Sequence, residues 1–274
     1  MTGGVVAAYL IPGSPLPLLR PDASGFKPIV EGLQLARASF EASGADTVIV
    51  YSTGWIAVVD QLWLSRPHME GRFVDHTWHE FGHIDWQIDI DADLAHRTAV
   101  ATTEIDVKSR GVDFDHFPID AGTIVFAKSM NTEAGIPAVV TSNNLYHDYD
   151  TTAKIGRTAV ETAVAQGRKV AVVGIGGLSG SIFRNGIDFN EDRIWSPEED
   201  SANVMLIELI TKADVERLAQ YLPTYSKDTR ADMGMKHLGF VLGALGGDYA
   251  KAECLGYGPL CGSGGAVIEF MPAR

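Results

Sequence analysis

The stretch Lys169-Val-Ala-Val-Val-Gly-Ile-Gly-Gly-Leu-Ser-Gly180 most narrows what this chain can fold into. Val170 to Val173 is a short apolar run rich in β-branched residues, with charge before it and glycine after it. Such a run reads as a buried strand emptying into a tight loop. In an open α/β sheet, ligands sit at the carboxyl ends of strands, so chemistry is expected at this loop. Yet the stretch from Gly174 to Gly180 carries no His, Cys, Asp, Glu or Lys. Gly174, Gly176 and Gly180 nearly fit a dinucleotide-binding pattern, but that pattern needs a helix opening at the loop to hold the pyrophosphate. Ser181 to Asn190 has no helical apolar period, which argues against a nucleotide site.

The flanking sequence supplies the rest of an α/β pattern. Val5 to Ile11 reads as the first buried strand, stopped by the proline-rich turn Pro12-Gly13-Ser14-Pro15. Ile29, Leu33, Ala36 and Phe40 predict a helix over 27–42, and Asp46 to Tyr51 a second strand. Strand, helix, strand in this space is a βαβ unit and implies a parallel pair. Further strands are predicted over 84–90, 112–118, 136–141 and 264–270. Helices are predicted from Asp91, an N-cap candidate, to Ser109, and then over 122–130 and 150–166. Two more share 201–222, after the start signature Ser196-Pro197, and a last one covers 228–245. The expected architecture is one α/β domain, residues 1–274, with a central, largely parallel or mixed sheet flanked by helices.

Composition bounds the partners. Asp plus Glu number 35 against 22 Lys plus Arg, a net charge of −13, with no basic cluster. That excludes nucleic acid and an anionic membrane as natural ligands. Cys254 and Cys261 lie in a glycine-rich, loop-like stretch and make neither a disulfide framework nor a zinc ribbon. The apolar run Val5 to Ile11 is too short for a signal peptide. No segment approaches the roughly 20 apolar residues of a membrane span. The expectation is a cytoplasmic protein with reduced thiols.

His79-Glu80-Phe81-Gly82-His83 is a literal match to the HExxH motif of zinc hydrolases, with His76 beside it and His96 or Glu104 as candidate third ligands. That chemistry needs a helix, so that both imidazoles share one face and the Glu reaches a metal-bound water. Gly82 and the strand-like alternation of Ile84 to Ile90 argue for a loop instead. His116 reads as a partly solvated strand residue. Tyr146 and His147, after the strand 136–141, are the remaining polar candidates for lining a pocket; the alternative is an ordinary Asn143-Asn144 turn.

Gly176-Gly177-Leu178-Ser179 resembles the strand-loop of the LigB-type (class III) extradiol ring-cleaving dioxygenases. There a catalytic histidine follows; here Gly180 does. The resemblance extends over nearly the whole chain. The family's first iron-ligand histidine, in the proline-rich turn after the first strand, aligns with Gly13. Its second, ahead of a Trp-like residue, aligns with Gly54 in Ser52-Thr53-Gly54-Trp55. Its ligand Glu aligns with Gly234, framed by Met235 and Leu238. The resemblance also implies a Ser-Asn-aromatic stretch lining the substrate pocket, matched by Ser142-Asn143-Asn144 and Tyr146.

Extradiol cleavage needs Fe(II) held by two His and one carboxylate, with a further His as acid and base. Glycine supplies neither a donor atom nor a proton carrier. The resemblance therefore implies a chain with no catalytic residue, no metal ligand and no cofactor of its own. It looks like the α chain of a two-subunit member whose homologous β chain holds Fe(II), assembled as α2β2 and cleaving 2-aminophenol or a related aromatic. The loop of Trp78, Phe81 and Trp86 is the expected contact with that partner. Two rival readings stay open: a zinc hydrolase using His79, Glu80 and His83, and a stand-alone binding protein for a small aromatic.

Overall fold

The computed structural model describes residues 3–132, 135–183 and 186–273. Eight strands form one sheet. They are β1 (Gly4–Ile11), β2 (Thr47–Ala57), β3 (Gln61–Leu64), β6 (Ser109–Val112), β7 (Ala138–Asn144), β8 (Lys169–Ile175), β9 (Tyr249–Leu260) and β10 (Ser263–Pro272). Their order is β6-β3-β7-β2-β8-β1-β10-β9. The centre, β7-β2-β8-β1, is parallel throughout, and β10 and β9 add an antiparallel hairpin beside β1. At the other edge, β3 runs antiparallel to β7 and parallel to β6. A separate two-stranded hairpin joins β4 (His68–Phe73) and β5 (Ile84–Asp89).

The central strands are apolar on both sides because helices cover both sides. Ala8 and Leu10 of β1, with Val170 and Val172 of β8, face one core, which takes in side chains of α3 (Ala92–Glu104), α5 (Tyr149–Ala165), α6 (Pro197–Thr211), α7 (Val215–Asp228) and α8 (Lys236–Ala244). Ala7, Tyr9 and Ile11, with Ala171, Val173 and Ile175, face the second core under α2 (Lys27–Ala42) and α4 (Ala121–Ser129). The remaining helix, α1 (Leu16–Leu19), is one turn long. The chain leaves β1 for α2 on one side of the sheet and leaves neighbouring β8 for α6 on the other. Two loops diverging from adjacent parallel strands open a crevice between them.

Several local expectations hold for the reasons given. Asp91 caps α3 by accepting from the Leu94 N–H at 3.0 Å, and Ser196 caps α6 through Glu199 N–H at 3.2 Å with Pro197 behind it. Others need correction. The helix from Asp91 stops at Glu104, because Asp106 takes a left-handed φ of 64°. The strand expected at 112–118 is instead β6, which ends at Val112; His116, at φ 56°, cannot continue it. The helix expected from 228 begins only at Lys236, since Arg230, Met233, Gly234 and Met235 all have positive φ. The glycine-rich region of Cys254 and Cys261 is not a loop: β9 takes up most of it, and both thiols are free. Gly256 lets β9 approach α2 closely, since a Cβ there would strike the Pro28 carbonyl. Packing against a helix backbone thus selects a sequence without the β-branched signature of a strand.

Candidate functional site

The crevice predicted by topology is present as a cavity of about 650 Å3. The turn after β1, the end of β2, the start of α4, the glycine loop after β8 and the α7–α8 turn all contribute to its wall. Gly13, Gly54 and Gly180, separated by up to 167 positions in sequence, line this one cavity. Gly234 does not. It lines a different hollow with Asp148, Ser226 and Lys227, while its neighbours Asp232 and Met233 face the first. Neither Tyr146 nor His147 is part of the cavity wall, and Tyr146 is 81% exposed.

Two carboxylates reach the cavity wall, both held by the protein itself. Asp120, the N-cap of α4, accepts from Thr123 N–H at 3.1 Å, Thr123 Oγ1 at 2.6 Å and Ser52 Oγ at 2.5 Å. Asp232 accepts from Thr53 Oγ1 at 2.7 Å and from Gly177 N–H at 2.9 Å. Ser52 and Thr53 are consecutive in β2, so the end of one strand ties together the α4 start and the α7–α8 turn. That turn is also stitched to the β8 loop by Asp232 N–H to the Leu178 carbonyl and Gly180 N–H to the Thr229 carbonyl, each at 3.0 Å.

Behind the glycine loop lies a buried polar cluster. His237 is 1% exposed, and its Nδ1 has no hydrogen-bond partner. A Cβ on Gly176 would come within 2.7 Å of that nitrogen and 2.9 Å of Asp232 Oδ2, so only glycine fits between them. Burial pushes the imidazole pKa down from 6.5 to about 4, against the opposing pull of the Asp232 charge. Lys236 is also buried and donates to the Asn144 carbonyl at 2.8 Å and to Asn143 Oδ1 at 3.3 Å. Burial lowers its pKa as well, opposed by Asp148. Tyr51 donates to the same Asn143 oxygen at 2.8 Å. Asn143 and Asn144 therefore hold a lysine in the core, a role beyond an ordinary turn.

The residues present do not fit an iron site. Among the described residues no imidazole lines the cavity, the carboxylates of Asp120 and Asp232 already accept from hydroxyl and amide donors, and the buried imidazole of His237 sits behind Gly176. Among the described residues no three His, Cys, Asp or Glu side chains are grouped so that they could hold a metal.

The HExxH reading is overturned by backbone geometry. His79–Phe81 is a single 3-10 turn, and Gly82, at φ 97°, breaks the backbone before His83. The two imidazoles cannot share a helix face; each is exposed, with His83 Nε2 3.4 Å from Asp85. His76 is exposed on the same loop, and His96 and Glu104 lie at a separate surface hollow beside α3 and β6. The loop's aromatic residues are half-buried within the chain. Phe81 packs on Phe189 with ring centres 5.6 Å apart, under the Arg20 guanidinium. Trp78 packs in the same cluster and Trp86 against the second core, all three partly buried in the chain itself. The exposed large apolar side chains include Ile56, Val58, Val59 and Leu145 instead.

Sequence reasoning missed Asp120, Asp232, Lys236 and His237. Asp120 carried a readable signal, an N-cap residue three before Thr123. The other three carry none, because their partners lie in distant segments.

Comparison with known proteins gives the family. Residues 7–267 match the family described as the catalytic LigB subunit of aromatic ring-opening dioxygenase. The chain is 42% identical over 267 residues to the 2-aminophenol 1,6-dioxygenase alpha subunit of a Pseudomonas species, covering 97% of this chain and 98% of that one. It is 24% identical over 276 residues to the beta subunit of 2-aminophenol 1,6-dioxygenase from a Pseudomonas species, covering 96% and 90%. An uncharacterised Escherichia coli K12 protein, JW3007, shares the fold with a TM-score of 0.63 at 13% identity, over 96% of this chain and 99% of that one.

Proposed function

Because this chain belongs to the LigB family of aromatic ring-opening dioxygenases, we propose that it is the α-type subunit of a two-subunit extradiol dioxygenase acting on 2-aminophenol or a related aromatic. In this reading the chain carries no iron. Fe(II) and the acid/base histidine belong to a homologous β-type subunit, with which it assembles in the cytoplasm as α2β2. The observation that carries the reading is the 42% identity to an alpha subunit along nearly the full length of both chains. The cavity supports it chemically. Gly13, Gly54 and Gly180, which the resemblance aligns with three of the family's donor positions, line one cavity, and a glycine donates neither electrons to iron nor a proton to substrate. Gly234, at the fourth place, faces another hollow, and the carboxylate that does reach the cavity, Asp232, ties loops together. What the chain gives the complex is then packing, partner stability or control of substrate access.

The test is to purify the chain alone and together with its iron-bearing partner, and to measure iron content and ring cleavage. The chain alone is expected to hold no iron and turn over nothing. The pair is expected to co-purify in fixed ratio, with turnover abolished by replacing an iron-ligand histidine of the partner. Ring cleavage by this chain alone with added Fe(II) would end the proposal. Tight binding of 2-aminophenol by a stable, unpartnered monomer would support the stand-alone binding protein instead.

A further inference from the structure

A small hollow of about 200 Å3 lies between α6 and α7, outside the cavity described above. On α7, Tyr221, Tyr225 and Asp228 stand at i, i+4 and i+7, a spacing that puts them on one helix face. Glu198 and Glu199 join them from the first turn of α6. Among the described residues its wall carries three carboxylates and no lysine or arginine. Glu198 and Asp228 are exposed, whereas Glu199 and Tyr225 are only 8% and 1% exposed.

Glu199 is the residue that points to a ligand. It stands three after the N-cap Ser196, where a capping-box glutamate reaches back to the cap's own N–H. Here its Oε1 accepts from Ser181 Oγ instead, and its Oε2 is buried with no hydrogen-bond partner. Acidic residues in a first turn complement the helix dipole, which accounts for Glu198 at the surface. The dipole does not account for a buried carboxylate oxygen that meets no donor, because leaving such an atom unpaired is destabilising. The rings of Tyr221 and Tyr225 lie 5.8 Å apart between centres. Their hydroxyls are engaged elsewhere, Tyr225 donating to Asn203 Oδ1 at 2.7 Å and Tyr221 to the Ala202 carbonyl at 3.4 Å. The wall therefore offers a ligand one open carboxylate oxygen, aromatic surface and negative charge.

These features select among cations. A metal ion needs several oxygens within about 2.0–2.6 Å of one point, and among the described residues no three His, Cys, Asp or Glu side chains are grouped that closely. A quaternary ammonium is drawn to aromatic faces but has no N–H for Glu199. A guanidinium presents a planar fork suited to both oxygens of one carboxylate, and Ser181 already occupies Oε1. A primary ammonium is a compact donor of three N–H groups, which suits one buried oxygen with further carboxylates beside it. We propose that the α6–α7 hollow binds a small primary amine in its protonated form, with the ammonium on Glu199 Oε2 and a short apolar stem against Tyr221 and Tyr225. The site belongs to this chain alone and does not depend on the two-subunit reading.

The test titrates n-butylammonium into the full chain at neutral pH by calorimetry. Saturable binding at one site per chain is expected, with a dissociation constant of about 0.1–5 mM. Glu199→Gln keeps the side chain's size and an acceptor for Ser181 while removing the charge, and should weaken binding about tenfold or more. Asp228→Asn, at an exposed position, should weaken it about threefold, with added salt removing the difference. Tetramethylammonium, 1-butanol and 2-aminophenol, whose aromatic amine is neutral at this pH, should not displace the probe. Melting temperatures check that the variants fold. No saturable binding up to about 10 mM, displacement by tetramethylammonium or by calcium, or unchanged affinity in a folded Glu199→Gln overturns the proposal. Where Glu199→Gln does not fold, unchanged affinity in Asp228→Asn overturns it. Binding that vanishes once the chain is assembled with its iron-bearing partner also overturns it, and assigns the hollow to a lysine of that partner.

Discussion

Replacing Gly180 by alanine tests whether the glycine loop could ever carry a side chain in this fold. A Cβ at that position would lie well inside 3.0 Å of the Arg230 carbonyl oxygen, whereas ordinary contact begins at 3.4 Å. The two segments must open by more than the 0.4 Å between those limits. They are not free to do so. Gly180 N–H donates to the Thr229 carbonyl and Asp232 N–H to the Leu178 carbonyl, bracketing Arg230, which itself sits at a left-handed φ of 50°. Overpacking costs about 1–3 kcal/mol, and each stretched hydrogen bond adds about 1 kcal/mol. Gly180→Ala should therefore destabilise the chain by about 2–4 kcal/mol, lowering the melting temperature by roughly 5–10 °C for a chain of this size. Gly13→Ala is the internal comparison. Its Cβ would stand 3.3 Å from the Ile175 Cγ2 methyl, a side-chain atom able to yield, and the expected cost is below about 1 kcal/mol. Calorimetry or thermal circular dichroism on the three proteins decides the matter. If Gly180→Ala melts within about 1 °C of wild type, the close approach of the β8 loop and the α7–α8 turn is not rigid, and a histidine could be accommodated at 180.

Asp232→Ala leaves Thr53 Oγ1 and Gly177 N–H without their acceptor, and urea unfolding should report a loss of about 2–4 kcal/mol. Asp232→Asn keeps one acceptor oxygen and should recover much of it; equal losses in the two variants would contradict the assigned role. His237 has a folded pKa of about 4 against an ordinary 6.5, so below pH 6.5 the unfolded chain takes up a proton that the folded chain refuses. Stability from this residue is fully present above pH 6.5 and falls by about 1.4 kcal/mol per unit as pH drops toward 4. Urea midpoints across that range should show a flatter slope in His237→Gln, and identical slopes would refute the assignment. His79 is an exposed loop residue with 71% of its side chain accessible. His79→Ala should therefore change neither the melting temperature by more than about 1 °C nor the metal content; loss of a stoichiometric zinc would restore the hydrolase reading.

The sequence alone determined the layered α/β architecture and the sheet edge at which a cavity opens. Strands such as Val170 to Val173 are apolar at every position, and only a sheet covered on both faces by helices buries every position of such a run. Caps such as Asp91 and Ser196 were equally readable, because a cap and the amides it serves lie within three residues of each other. The loop nature of the HExxH stretch followed from Gly82 and the alternation after it. The tertiary structure decided what local pattern does not encode. It brought Gly13, Gly54 and Gly180 to one cavity and turned Gly234 away, through a run of left-handed residues that no propensity predicts. It placed Asp232 against Thr53 and Gly177, 179 and 55 positions away, and buried His237 and Lys236 together in the core. It also folded Trp78 and Phe81 back onto Phe26 and Phe189, while leaving Ile56, Val58 and Val59 exposed. Hydrophobicity states that a side chain prefers to leave water. Which surface receives it depends on contacts between segments far apart in the chain, and those exist only once the sheet has assembled.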